Sequence, residues 1–153
     1  MKVMRCVSRF AMCSPLLLAL APFSWGQGVV SEPNNVILII GDGMDDQQIT
    51  AARNYLHGAQ GQTILDTLPV RSAVQVLTVS NNDTTQPIYV ADSANSATAM
   101  ATGQITSIGR ISTTAKSNED LITIVEMAQQ KGLKTGLVTT ASITDATPSA
   151  FVA

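Results

Sequence analysis

Asp92-Ser93-Ala94-Asn95-Ser96-Ala97-Thr98-Ala99-Met100-Ala101-Thr102-Gly103 decides how the rest of the chain is read. The stretch is rich in Ala, ends at a Gly and follows the strand-like Pro87-Ile88-Tyr89-Val90. It is therefore predicted to be a short helix entered from a strand. A Ser at that entry sits where helix N-terminal amides point. Those amides and the helix dipole favour an anion, whether a phosphate or a developing Ser oxyanion. Taken alone, the pattern favours the plainer reading, Asp92 or Ser93 as an N-cap, since caps are common and nucleophiles rare.

Working outward, two further stretches bear on Ser93. Asn35 to Ile40 is a continuous apolar, β-branched run, the pattern of a strand buried on both faces. Gly41-Asp42-Gly43 stands at its carboxyl end, where ligands of open α/β sheets collect. A structural Asp in a tight turn explains the same residues equally well. Asp45 or Asp46 opens a helix through Tyr55 that stops near Gly58. Val70 to Val79 is strand-like, Asn81 to Thr84 a turn, and Ile88 to Val90 a returning strand. Gly103 to Ala115 reads as irregular. Ser117 with Asp120 resembles a capping box that opens an amphipathic helix from Glu119 to Lys131, closed by Gly132. Lys134 to Thr140 is a further strand, and Asp145-Ala146-Thr147-Pro148 follows it. Pro148 suits the first position of a new helix, with Thr147 as its cap. Strand and helix alternate, which implies a parallel, three-layer α/β arrangement.

Three motifs taken in order resemble the alkaline phosphatase family. They are Asn35-Val36-Ile37-Leu38-Ile39-Ile40-Gly41-Asp42-Gly43-Met44, then Asp92-Ser93-Ala94-Asn95-Ser96-Ala97-Thr98-Ala99, then Asp145-Ala146-Thr147-Pro148. Each is weak alone, but the ordered triple is specific. The resemblance implies an α/β/α sandwich with a mostly parallel central sheet, here truncated to the N-terminal part of the domain. It implies hydrolysis of phosphate monoesters through a phosphoserine on Ser93, in a site with two zinc ions and one magnesium ion. By the same resemblance Asp42 bridges a zinc and the magnesium, and Thr147 matches a magnesium ligand. Asp145 matches a carboxylate holding a water on that magnesium, and Asp92 a residue that positions a phosphate-binding Arg. The family's zinc histidines, their partner Asp residues, the magnesium Glu and that Arg match positions beyond Ala153. Arg53, Arg71 and Arg110 do not match the Arg. At full length the resemblance is compatible with a homodimer. Asp45 departs from the pattern, since a Gly commonly follows Gly-Asp-Gly-Met, and helix capping is its expected role.

Composition narrows the classes. The chain has 153 residues, 45% hydrophobic and 13% charged, which argues for a globular domain with a core. Residues 1 to 26 read as a secretory signal peptide. Lys2, Arg5 and Arg9 form its basic region, Phe10 to Pro22 its apolar region, and Ser24-Trp25-Gly26 a cleavage site before Gln27. The exported part, 27 to 153, is then expected in the periplasm or outside the cell, with no membrane association after cleavage. It retains six basic against eleven acidic side chains, a poor match for nucleic acid. Both cysteines, Cys6 and Cys13, fall in the leader, so disulfides and thiolate metal sites are excluded from the exported part. Its single His, His57, falls at a helix end, where it suits the helix C-terminus better than a metal.

Catalysis at Ser93 needs a lowered nucleophile pKa, positive charge on the phosphoryl oxygens and a means of activating water. With so few ligands, residues 27 to 153 alone are expected to be inactive. Two alternatives stand beside the phosphomonoesterase. One is a related metal-dependent phosphodiesterase or sulfatase, disfavoured by a Ser where those enzymes use Thr or a Cys-derived nucleophile. The other is a secreted, non-catalytic domain that keeps the fold.

Overall fold

The structure is a computed structural model in which residues 35–153 are described. Asn35–Leu38 belong to one compact unit and Ile39–Ala153 to another. The predicted leader and its cleavage site before Gln27 lie outside the described residues.

The first helix, α1, runs Asp46–His57. Asp45 caps it, accepting from the Gln47 and Gln48 amides, while the Asp45 amide donates to Gln48 Oε1. The extra carboxylate after Gly-Asp-Gly-Met thus serves as the expected cap. Gly58, at φ 72°, closes the helix near its expected end. A 3-10 turn, Ile64–Thr67, follows. Arg53 reaches from α1 to grip its Asp66 with two bonds, at 2.8 and 2.7 Å, and Arg71 adds a third at 3.2 Å. Arg53 is therefore a packing residue, as its place on α1 suggests.

The hairpin is real but short. Strands β1 (Thr78–Val79) and β2 (Pro87–Ile88) pair antiparallel, with Thr78 opposite Ile88 and Val79 opposite Pro87. Helix α2, Ser93–Thr102, matches the predicted helix at both ends. Asp92 is its N-cap and Gly103, left-handed at φ 74°, its C-cap. Short helix α3, Ile124–Gln130, and the single turn α4, Ala146–Ser149, complete the elements. The core lies between α2 and α4, where Ala97, Ala101, Ala150 and Phe151 pack with Ile40, Ile111, Val125 and Leu137 around them. Small residues on α2 let the two helices approach closely.

Several expectations are corrected here. Asn35–Ile40, most of Val70–Val79 and Lys134–Thr140 form no ladder among the described residues, and the only sheet is the two-stranded hairpin. These runs have the apolar pattern of buried strands, yet Val74 and Val138 stand almost wholly in solvent. A strand is defined by its partners, and these runs have no ladder partner among the described residues. The parallel sheet and the three-layer sandwich are thus not formed within residues 35–153.

The helix expected from Glu119 starts five residues later. Thr123, not Ser117, caps it, and Glu126 completes the box. Residues 113–120 instead close a tight loop: Thr113 bridges Asp120, and the Thr114 amide bonds to the Glu119 carbonyl at 2.8 Å. Gly132 ends the helix as expected, with its amide on the Gln129 carbonyl and that of Leu133 on Ala128. Asp145, not Thr147, occupies the N-cap of α4, and Pro148 is its third residue rather than its first. A missing N–H is harmless anywhere in a first turn, whose amides have no intrahelical acceptor. No helix among the described residues is long and apolar enough to cross a membrane.

Candidate functional site

Asp42 sits in the turn after Ile40, where Gly43 takes φ 67° and the Met44 amide bonds back to the Gly41 carbonyl at 3.2 Å. That turn presents the Asp42 carboxylate to two distant hydroxyls. Ser93 donates to Oδ1 at 3.1 Å and Thr147 to Oδ2 at 2.7 Å. The partners lie 51 and 105 positions away in sequence. Three of the sequence-predicted residues therefore meet at one carboxylate.

Ser93 is the first residue of α2 and is held by its cap. Asp92 Oδ1 accepts from the Asn95 amide at 2.9 Å, and Asn95 Oδ1 accepts from the Asp92 amide at 2.8 Å. Asp92 Oδ2 accepts from the Gly109 amide at 2.8 Å, which pins the start of α2 to the loop after it. Of the two readings, the cap is met by Asp92, and Ser93 stands beside it with its hydroxyl on Asp42. Among the described residues the Ser93 and Ala94 amides find no acceptor. They are the free donors of a helix N-terminus.

A cleft runs along this edge, lined by Asp42, Gly43, Val76, Ala91, Asp92, Ser93 and Ser96. Two carboxylates and no cationic side chain line it. The described arginines are engaged elsewhere: Arg53 and Arg71 on Asp66, Arg110 on Asn81 and Asn118. Asp145 begins α4 with a carboxylate that makes no capping bond. It lies two residues from Thr147 but is not joined to Asp42. His57 closes α1, whose twelve residues span about 18 Å, so it stands at the far end of that helix from the Asp42 turn.

The donor set can be tested against the metals the motifs imply. Asp42, Thr147 and Asp145 offer hard oxygens, which suit magnesium. Zinc wants imidazole, thiolate or several carboxylates, and among the described residues no group of three His, Cys, Asp or Glu gathers to hold an ion. The oxygen donors present are of the type that suits magnesium rather than zinc, and no metal site is assembled among the described residues.

Sequence reasoning missed the supports. Thr98 and Ser112, both buried, join α2 to the loop that follows it, and Ser112 also reaches α4. Nothing in the Ser, Thr and Gly-rich stretch after Gly103 marks them. Asn95, wholly buried, would have been found from its place three residues after Asp92, the partner position of a capping box.

Comparison with known proteins gives the chain's family. The alkaline phosphatase family model matches residues 33–153. The chain is 48% identical over 120 residues to alkaline phosphatase of Escherichia coli K12, covering 78% of this chain and 25% of that protein. It is 47% identical over 119 residues to streptomycin-6-phosphate phosphatase of Streptomyces griseus, covering 78% and 26%. A solved structure, the cold-active alkaline phosphatase of a psychrophilic Shewanella, is similar with a TM-score of 0.62 at 35% identity, over 74% of this chain and 28% of that one. The chain thus spans about a quarter of the length of the curated relatives it matches. The family match extends through all three motifs and most of the sequence, and the chain belongs to the alkaline phosphatase family.

Proposed function

We propose that this chain supplies the nucleophile and the hard-oxygen side of a phosphate monoesterase, with Ser93 attacking phosphorus and Asp42 at the junction of the site. The observation that carries the reading is the convergence of Ser93 and Thr147 on the two oxygens of Asp42. Three motifs that have no reason to meet in a merely structural turn do so here.

The chemistry follows from the side chains. The Ser93 hydroxyl proton lies toward Asp42 Oδ1, which leaves an oxygen lone pair for an incoming phosphoryl group. The free Ser93 and Ala94 amides, with the dipole of α2 behind them, suit the phosphoryl oxygens. Asp92 holds the first turn in place by its cap. Attack on phosphorus forms the Ser–O–P bond as the bond to the leaving alcohol breaks, and water later cleaves the phosphoserine. A phosphate dianion would meet only negative side chains in this cleft, so bound cations are needed. Asp42, Thr147 and Asp145 are the residues that would hold magnesium, which supplies positive charge and a polarised water when bound. The residues do not provide for zinc, and the two zinc ions of the family are assigned to ligands outside this chain.

The same reading makes Asn35–Ile40 and Lys134–Thr140 strands of a mostly parallel α/β/α sheet, paired by further polypeptide. It gives phosphate monoesters as substrates, a homodimer for the complete enzyme and export through the leader of residues 1 to 26. Residues 27–153 alone are expected to show no turnover, for want of zinc ligands and of a cation on the transferred group. The test is a chimera in which this chain replaces the matched quarter of the Escherichia coli relative. Hydrolysis of an activated aryl phosphate that depends on Ser93 supports the reading. Activity unchanged by Ser93→Ala overturns it.

A further inference from the structure

Ser112 is 2% exposed and takes φ 47°, left-handed backbone that a residue with a Cβ rarely adopts. Its three polar groups are all used. The amide donates to Thr98 Oγ1 on α2 at 2.9 Å, the hydroxyl donates to the Ala150 carbonyl at the end of α4 at 2.6 Å, and the carbonyl accepts from the Leu121 amide at 2.8 Å. Thr98 Oγ1 in turn donates to the Arg110 carbonyl at 3.0 Å, so the loop grips α2 on both sides of Ile111. Ser112 is thus a buried residue whose amide bonds to the helix carrying Ser93 and whose hydroxyl bonds to the end of the helix carrying Thr147. Unfavourable backbone persists where its surroundings over-determine it, and such positions gather at functional sites.

We propose that Ser112 is a positioning residue that fixes α4 against α2 and thereby sets where Thr147 stands relative to Asp42 and Ser93. The inference rests on the reading of Ser93, Asp42 and Thr147 as one site. The packing between α2 and α4 is built mainly of small residues, Ala97, Ala101 and Ala150 with Phe151, which offers little to prevent α4 from sliding. The bond from Ser112 to Ala150 is directional and sits three residues from Thr147. α4 is a single turn, so holding its end fixes its whole length.

Two variants of the intact chain separate positioning from stability. Ser112→Ala removes the hydroxyl and keeps the unfavourable backbone. Ser112→Gly also removes the hydroxyl but relieves the backbone, so it is the more stable of the two. Amide exchange and amide chemical shifts are read by NMR in the absence of substrate and metal, with thermal unfolding measured alongside. In both variants the Ser149 and Ala150 amides should exchange about tenfold faster, the loss of one hydrogen bond. The Thr147 and Asp42 amide resonances should move equally in both. The Ser96 and Gly103 amides of α2 should keep their protection in Ser112→Gly. Unchanged Thr147 and Asp42 resonances, or changes that follow melting temperature so that Gly restores the wild-type values, would overturn the proposal. The readout needs no turnover, so failure of the phosphatase reading appears separately, as a chimera whose activity ignores Ser93.

Discussion

Thr147 Oγ1 donates to Asp42 Oδ2 at 2.7 Å, joining residues 105 positions apart, and the other oxygen of that carboxylate takes the Ser93 hydroxyl. Asp42 is exposed, so removing it disturbs little packing. Asp42→Ala should therefore destabilise the chain by about 1 kcal/mol, the worth of its hydrogen bonds. On the proposed reading it should lower kcat/KM in the chimera by a factor on the order of a thousand, because it removes the common anchor of Ser93 and Thr147. Kinetics and thermal unfolding on the same samples check both parts. Less than a tenfold loss of kcat/KM would count against Asp42 as the junction.

Asp92 and Ser93 are neighbours with opposite expectations. Asp92 caps α2 through the Asn95 amide and ties it to the Gly109 amide. Asp92→Ala should cost roughly 1–2 kcal/mol of stability. Ser93 makes one side-chain bond, to an exposed carboxylate, and Ser93→Ala should stay within about 0.5 kcal/mol. Urea unfolding of the two variants gives the comparison directly. An order of effects opposite to this would mean that the Ser is structural.

The Arg53–Asp66 pair sets an acid limit. The Arg53 guanidinium, with bonds from Thr63 and Arg71, holds the Asp66 carboxyl far below the usual carboxylate range. A depressed carboxyl stabilises the fold above its unfolded pKa of about 3.9, and that contribution fades as pH falls further toward the folded value. Asp66→Asn should lower the melting temperature by a constant amount above about pH 5, and the gap should narrow below about pH 4. Melting curves across pH 2 to 7 test the sign. A gap that widened in acid would contradict the pairing.

Much of the local structure was legible because it is written in neighbouring residues. Asp45 and Asp92 cap the helices expected of them, and Gly58 and Gly103 end those helices. Three separated motifs, each short and ambiguous, signalled the family by their order, and one residue from each meets at the Asp42 carboxylate. The sheet was not legible in residues 35–153, since apolar runs such as Lys134–Thr140 announce a need for burial but not what fills it. The start of α3 was misread because Ser117 and Asp120 have the spacing of a capping box as surely as Thr123 and Glu126 do. The choice falls to the loop, where Ser112, Lys116 and Asn118 all take positive φ and turn the chain back before the helix can begin. The roles of Thr98 and Ser112 are tertiary and carry no local signature.

That choice of cap is itself testable. Thr123 is wholly buried, its hydroxyl accepts from the Glu126 amide, and its own amide donates to Glu126 Oε2 at 2.8 Å. Thr123→Ala should cost about 1 kcal/mol, and Ser117→Ala, in an exposed loop, less than about 0.5 kcal/mol. Equal effects by chemical denaturation would return the helix start to the earlier position.

The central claim is that Ser93 is the atom that takes the phosphoryl group, and trapping that group tests it most directly. The chimera with the Escherichia coli relative is mixed with labelled phosphate, quenched in acid and digested, and the labelled peptide is sequenced. The account predicts one labelled site, Ser93, with the label lost in Ser93→Ala while the fold is retained. Label at a single site that survives Ser93→Ala, or an active chimera with no label at Ser93, would contradict it.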